Sequence, residues 1–407
     1  MVNYIEQFKD RYLFHQCTNE DELNNQLNKE STYFYIGFDA TSDALHVGSL
    51  VQLRAIKQLI KLGHKAIILL GGGTTKVGDP SGKDESRKIL EYKTIEGNIN
   101  NFKRIFNHYF RDHKESISFI NNDDWLSELK YIELLRTVGS HVSINRMMGF
   151  ESVKERLKRE QSLSFLEFNY SLLQAFDFLK LNEEYDCKLQ MGGSDQWGNI
   201  ITGLELIRKK LSRQAFGLTS PLLTTSSGTK MGKSANGAIW LNEDQLSNWD
   251  FWQYWRNTED NDVIKFLKLF TELSISEIIK LETLQGAEIN DAKIILANHV
   301  TALCRGKEAA EQISITAKNT FNKLQNIEGI PNKNIANPTL SIVDALNILE
   351  FVSSNGEARR LIRGNGAKVN DILINDENFI LSNNDYKDGK VKISSGKKKH
   401  GHLTLIN

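Results

Sequence analysis

Apolar positions in the first 240 residues come in two alternating textures. Tyr33–Phe38 and Ala66–Leu70 are short aromatic or apolar runs, and Ile117–Ile120 and Cys187–Met191 are short segments with a polar residue or two among apolar ones, the pattern of buried strands. Between them, Leu50–Leu62, Thr94–Phe110, Ser164–Leu181 and Gln196–Lys210 carry apolar residues three and four apart, the pattern of helices with one buried stripe. Gly63 stops the first helix, and Gly71-Gly72-Gly73 and Gly192-Gly193 close two of the strands. Strand, helix and strand in succession make a βαβ unit. The pattern therefore predicts a parallel sheet within one α/β domain over residues 1–237.

From Ser247 the strand pattern vanishes. Phe251–Trp255, Val263–Phe270, Ile275–Leu281 and Ala292–Cys304 all show helical spacing, which predicts an α-helical domain over 238–325. Residues 326–338 hold Gly329, Pro331 and Pro338 among many asparagines and read as a linker. Residues 339–407 read as a small mixed α/β module with helices starting at Ile342 and Asn355.

Composition narrows the class only a little. The 407 residues are 40% hydrophobic and 25% charged, ordinary values for a globular chain. Lys+Arg and Asp+Glu are equal at 51, so any nucleic-acid surface has to be a local patch. Cys17, Cys187 and Cys304 are scattered, with no zinc or redox spacing, which points to a reducing compartment. No apolar run approaches the length of a membrane span. The first 14 residues resemble neither a signal peptide nor a transit peptide. The expectation is a soluble, cytoplasmic protein without membrane contact.

Two motifs carry candidate chemistry. His46-Val47-Gly48-Ser49 falls where a parallel strand hands over to a helix N-terminus, the physical place to bind phosphate. Gly48 admits a nucleotide close to the backbone, and an imidazole can donate to phosphate oxygens as charge builds. Lys230-Met231-Gly232-Lys233-Ser234 lies in a Gly- and Ser-rich loop after the strand-like lead-in Thr219–Leu223. Two ammonium groups there can neutralise a leaving pyrophosphate. A third element, Gly78-Asp79-Pro80-Ser81-Gly82-Lys83 with Arg87, places two more cations where they can face phosphate. Separately, Tyr170, Gln174 and Asp177 share one helical face. A phenol, an amide and a carboxylate on one stripe are costly in a dry core unless they bind something polar.

In this order, the His-Val-Gly-Ser and Lys-Met-Gly-Lys-Ser strings resemble the two nucleotide-binding motifs of class I aminoacyl-tRNA synthetases, with Ser49 where that family carries a second histidine. Tyr33–Asp39, Ser164–Phe178 and Gly192–Asn199 resemble the bacterial-type tyrosyl-tRNA synthetase family. The resemblance implies a Rossmann-like catalytic domain, a helical tRNA-recognition domain and an S4-like RNA-binding domain. It implies activation of L-tyrosine by ATP, which arrives with Mg²⁺ as a substrate complex, followed by transfer to tRNA(Tyr). No structural metal is expected.

By the same resemblance Tyr35 and Asp177 bind the substrate phenol, and Asp79, Tyr170 and Gln174 hold its ammonium. Gln196 lies near its carboxylate, and Asp39 and Thr41 line the pocket mouth. Gly37, His46, Gly48, Ser49, Gly193, Asp195, Lys230, Met231, Lys233 and Ser234 contact ATP. Thr41, His46, Lys83, Arg87, Lys230 and Lys233 stabilise the transition state. The family alternative, a tryptophan enzyme, needs no Tyr35–Asp177 phenol pair. A small nucleotidyltransferase would lack the helical and C-terminal domains, and a non-catalytic RNA-binding relative would have no use for the retained motif residues.

Two interaction surfaces complete the reading. Arg359, Arg360 and Arg363 on one helix, with Lys397, Lys398 and Lys399 near the end, suit an RNA backbone; charge alone does not separate that from a solvated face. The stretch 124–160 carries Trp125, Leu129, Ile132, Leu134, Leu135, Met147, Met148 and Phe150, more apolar surface than a connecting segment needs, which predicts a homodimer.

Overall fold

A computed structural model describes residues 2–81, 90–226, 228, 231–234, 237–321, 331–396 and 399–406. The chain groups into two compact units, residues 1–247 with 254–306, and residues 248–253 with 307–407. These bounds differ from the sequence-based division, which set 238–325 apart. Helices Asp260–Phe270, Ile275–Glu282 and Ile289–Arg305 group with the sheet, and helix Lys307–Phe321 groups with the C-terminal module.

The first unit is built on a six-stranded sheet of β1 (Gln16–Cys17), β2 (Tyr33–Phe38), β3 (Lys65–Leu70), β4 (Ile117–Asn121), β5 (Leu189–Gly193) and β6 (Phe216–Ser220). Its order is β1-β6-β5-β2-β3-β4. All neighbours run parallel except β1, which pairs antiparallel with β6. The chain lays β2, β3 and β4 outward on one side, then returns to lay β5 and β6 on the other. The order therefore reverses between β2 and β5, and in open α/β sheets that crevice is where ligands bind. β3 shows why the strands were legible: every residue from Ala66 to Leu70 is buried, as expected of a parallel strand covered on both faces.

Three boundaries moved for local reasons. The strand expected at Cys187–Met191 starts at Leu189, because Asp186 ends the preceding helix in a left-handed turn (φ 50°) and Cys187 lies in the connector. The lead-in expected at Thr219–Leu223 ends as a strand at Ser220, since Pro221 has no N–H to continue the ladder. The single helix expected over Ser164–Leu181 is two, Phe165–Phe168 and Tyr170–Tyr185, broken at Asn169. A reciprocal capping box of Ser164 and Glu167 starts the first piece. Glu167 also accepts a 2.6 Å bond from Arg156, both side chains being 3% exposed.

Helix Tyr170–Tyr185 packs its buried side against the core. Phe178 is fully buried and lies 5.2 Å from the Tyr35 ring, tilted. Burying a side chain of that kind stabilises by roughly 1.5–3 kcal/mol. Leu134, Val138 and Met147 join the same core, and Trp125, Leu129 and Phe150 pack on it. Part of the apolar content of 124–160 is thus absorbed within the chain.

In the second unit, a five-stranded sheet has the order Ile372–Ile374, Ala367–Val369, Lys390–Ser395, Lys399–Leu405, Asn332–Ile335. Helices Ile342–Ile348 and Asn355–Arg363 supply Ile342, Ala345, Leu346, Ala358 and Ile362 to its core. Among the described residues, no helix is long and apolar enough to cross a membrane.

Candidate active site

A cavity of about 420 Å³ opens at the carboxyl ends of β2 and β5, at the switch point of the sheet. Its inner end is polar and buried. Asp177, 1% exposed, accepts a 2.7 Å bond from Trp125 Nε1 and a 2.9 Å bond from Asn122 Nδ2. Burial pushes its carboxyl up to about 8, against those two donors, which favour the ionised form. The Tyr35 hydroxyl is buried beside it without a hydrogen-bond partner, and burial raises that phenol well above its usual range. A buried polar atom left unpaired at a cavity wall needs an explanation, and a ligand hydroxyl supplies one.

The amide of Asn122 spans two carboxylates. It donates to Asp177 and, at 3.0 Å, to Thr74 Oγ1. Thr74 in turn donates to Asp39 Oδ1 at 2.7 Å, and Tyr170 donates to Asp39 Oδ2 at 2.9 Å. The Asn122 side-chain oxygen is held by the Gly73 N–H at 2.8 Å, which fixes the direction of its amide. Gly71 makes room for this arrangement: a Cβ there would sit 2.2 Å from Asp39 Oδ1.

A second polar group forms across the cavity. Gln196 donates to Asp79 at 2.7 Å. Asn199 donates to Gln174 at 3.0 Å and to Gln196 at 3.2 Å, so one amide orients two others. Tyr170, Gln174 and Asp177 do share the cavity face of their helix. Asp79 belongs to this network and Asp39 accepts from Tyr170, and the two carboxylates suit an ammonium ligand.

At the outer end, His46 caps the turn Val47–Ser49 with Nδ1, which accepts the Gly48 N–H at 3.0 Å. The neutral ring therefore carries its proton on Nε2. A Cβ on Gly48 would lie 2.6 Å from the His46 ring. The two motifs meet here. Val47 N–H bonds to Ile239 O and Leu241 N–H to Leu45 O, so the chain leaving the second motif pairs alongside the first. Thr41, Ser49, Gly37, Gly193, Asp195 and Met231 all line the cavity. Ser49 makes no capping bond to the helix that follows it.

Lys83, Arg87, Lys230, Lys397 and Lys398 lie outside the described residues. The backbone of Lys233–Ser234 pairs antiparallel with Gly237–Ala238. Arg359, Arg360 and Arg363 are exposed, on the side of their helix away from Ala358 and Ile362. Arg363 grips Glu377 through two nitrogens at 3.0 and 2.8 Å, and Lys399 donates to Phe351 O at 2.8 Å.

Asn122, Trp125, Thr74 and Asn199 were not anticipated as site residues. Trp125 read as apolar surface, and Asn122 follows the strand-like segment Ile117–Ile120. Their only sequence signal is position, directly after the carboxyl ends of β3, β4 and β5.

A polar slot at the switch point of a parallel sheet, bordered by a strand-to-helix histidine motif, is the frame of a class I amino-acid-activating enzyme. Comparisons with known proteins agree. The sequence pattern of the family described as tRNA synthetases class I (W and Y) matches residues 27–322. The chain is 47% identical to the tyrosine–tRNA ligase of Pelagibacter ubique, with both chains covered in full. It is 51% identical to that of Novosphingobium aromaticivorans, over 97% of this chain and 96% of the other. A C-terminally truncated mitochondrial tyrosyl-tRNA synthetase from Aspergillus nidulans superposes with a TM-score of 0.70 at 30% identity, over 79% of this chain and 95% of that one. The chain belongs to the class I tRNA synthetases of the tryptophan and tyrosine type, and within them to the tyrosine–tRNA ligases.

Proposed function

We propose that this chain joins L-tyrosine to tRNA(Tyr) in two steps at this one cavity. In the first, a tyrosine carboxylate oxygen attacks the α-phosphorus of ATP, and the bond to the bridging oxygen breaks to release pyrophosphate. In the second, the 3′-terminal ribose hydroxyl of the tRNA attacks the adenylate carbonyl, loses its proton, and AMP leaves. No side chain becomes covalently attached. The protein aligns the reactants and stabilises developing charge.

The observation that carries the reading is the inner end of the cavity. Tyr35 offers an unpartnered phenol beside the buried Asp177, whose position is fixed by Asn122 and Trp125. A substrate hydroxyl donates to Asp177 and accepts from Tyr35. Phenylalanine would leave the Tyr35 hydroxyl unpaired, at about 1–3 kcal/mol for that buried group, and would forgo the bond to Asp177. The ammonium falls to Asp79, Tyr170 and Gln174, with Asp39 behind Tyr170 and Gln196 toward the carboxylate. His46, Thr41, Gly48, Ser49, Gly193 and Asp195 take ATP, and Lys83, Arg87, Lys230 and Lys233 neutralise pyrophosphate. Mg²⁺ comes as part of the nucleotide substrate, held by phosphates and water.

Residues 1–237 serve as the catalytic domain, 238–325 as a helical tRNA-recognition domain, 326–338 as a linker and 339–407 as an S4-like RNA-binding module. Arg359, Arg360, Arg363 and Lys397–Lys399 bind the tRNA backbone. A homodimer forms through the exposed apolar side chains of Ile132, Leu135, Ile144 and Met148. The free cysteines fit a cytoplasmic setting. Tyrosine-dependent exchange of pyrophosphate into ATP tests the core claim. Exchange supported equally by tryptophan or phenylalanine, or no exchange at all, refutes it.

A further inference from the structure

Among the described residues, helix Asp260–Phe270 contributes none to the cavity wall, yet its two ends are tied to the elements that carry the nucleotide motifs. At its first turn, Asp262 is 1% exposed and accepts from Ser226, from the backbone N–H at 3.0 Å and the hydroxyl at 3.3 Å, both through Oδ2. One turn on, Lys265 Nζ donates to Thr224 O at 2.8 Å. Thr224 and Ser226 are the entry to the lysine-bearing motif, directly after Leu223, whose carbonyl accepts the Met231 N–H at 2.9 Å.

The far end of the helix is held with equal care. Arg54 donates to Leu269 O and Thr271 O, each at 3.2 Å. Arg11 reaches Thr271 O at 3.2 Å and Leu273 O at 2.6 Å. Glu272 bridges Lys57 and Lys61 at 2.9 and 2.7 Å. Arg54, Lys57 and Lys61 sit on helix Leu50–Lys61, which begins directly after His46-Val47-Gly48-Ser49. The 11-residue helix Asp260–Phe270 is thus a strut about 16 Å long between the elements that carry the two motifs.

Asp262 is also half satisfied. Its Oδ1 is buried with no hydrogen-bond partner. A carboxylate needed only to favour a helix N-terminus does that from the surface, without the cost of burial. Its burial against a loop entry fits positioning better than folding.

We infer that Asp262, with Lys265, is a positioning residue for adenylate formation: it seats the entry of the second motif so that the following lysines meet the pyrophosphate. This rests on the function proposed above. The test uses the full chain and two readouts, rapid-quench measurement of the first-turnover activation rate and equilibrium titration with tyrosine. Asp262→Ala should slow activation by about ten- to a hundredfold, the size of a lost hydrogen bond to a charged group. Tyrosine affinity should stay within about twofold, as for sites without shared partners. Asp262→Asn, whose amide oxygen still accepts the Ser226 N–H, should recover most of the rate, and Lys265→Met should lose about three- to tenfold. If Asp262→Ala fails to fold, Lys265→Met decides by the same pair of readouts. An unchanged activation rate, or a matching loss of tyrosine affinity, overturns the inference. Absence of exchange in the unaltered protein would instead overturn the function on which it rests.

Discussion

Replacing Asp177 by alanine removes the acceptor at the inner end of the cavity while leaving its outer end intact. The phenol of tyrosine loses a buried hydrogen-bond partner, at about 1–3 kcal/mol, or roughly 5- to 150-fold in Kd. Two buried donors are affected as well. Trp125 Nε1 loses the partner it holds at 2.7 Å, while Asn122 keeps its bond to Thr74. Reorganisation around the unpaired indole N–H adds to the loss, so tyrosine affinity should fall about a hundredfold or more. On the proposed binding mode ATP is held by the His46 end, which shares no hydrogen bond with Asp177 among those described, so its affinity should change less than about threefold. Separate equilibrium titrations with tyrosine and with ATP measure both. The variant should also lose most of its preference for tyrosine over phenylalanine. Equal losses for the two ligands would show Asp177 to be a structural residue and refute the phenol assignment.

The pH dependence of stability provides a further check. Burial raises the Asp177 carboxyl to about 8, so from about pH 4 upward the folded chain keeps a proton that the unfolded chain releases. This group's contribution is complete below that range and lost as pH rises through 8; Tm of Asp177→Asn relative to the parent should therefore climb between pH 5 and 8, and a flat or falling difference contradicts it. Gly71→Ala should weaken tyrosine binding by about tenfold or more, because its Cβ would lie 2.2 Å from Asp39 Oδ1 and displace the partner of Tyr170; an unaltered Kd by calorimetry would show that Asp39 does not hold that end of the site. Removal of residues 339–407 should leave pyrophosphate exchange intact but cripple tRNA charging and flatten the salt dependence of tRNA binding. Charging at the full-length rate at matched salt removes the RNA-binding role of that module. Sedimentation equilibrium at micromolar concentration should give the mass of two chains, and Ile132→Asp with Ile144→Asp should give one; a single-chain mass for the parent removes the dimer.

Much of the fold could be read from the sequence because its cause is local. Continuous burial writes β3 as an apolar run, and one-sided burial, at Ile95, Ile99, Phe102 and Phe106, writes Tyr92–Tyr109 as a helical stripe. Tyr170, Gln174 and Asp177 were legible for the same reason, since a single helix sets their spacing. What was missed arises where separate elements converge. Asn122 merely follows a strand-like segment until β4 brings it against Asp177 and Thr74, and Trp125 looks like interface until its N–H is seen on a carboxylate. The break at Asn169 was written in the sequence, in Ser164-x-x-Glu167, but helical periodicity ran across it. The grouping of 254–306 with the sheet had no local signature at all.

The way Asp177 is held bears on how this pocket could be re-engineered for an unnatural aromatic amino acid. A substituent at the para position that cannot donate a proton invites replacement of Asp177 by something apolar. That single exchange would strand the Trp125 N–H and one N–H of Asn122 inside a dry wall, and Asn122 cannot turn away without releasing Gly73 and Thr74. A successful redesign has to treat residues 122, 125 and 177 as one unit, drawn from two segments of the chain. Libraries that vary the helix face alone should return sluggish or unstable proteins, whereas libraries that open the segment after β4 at the same time should not.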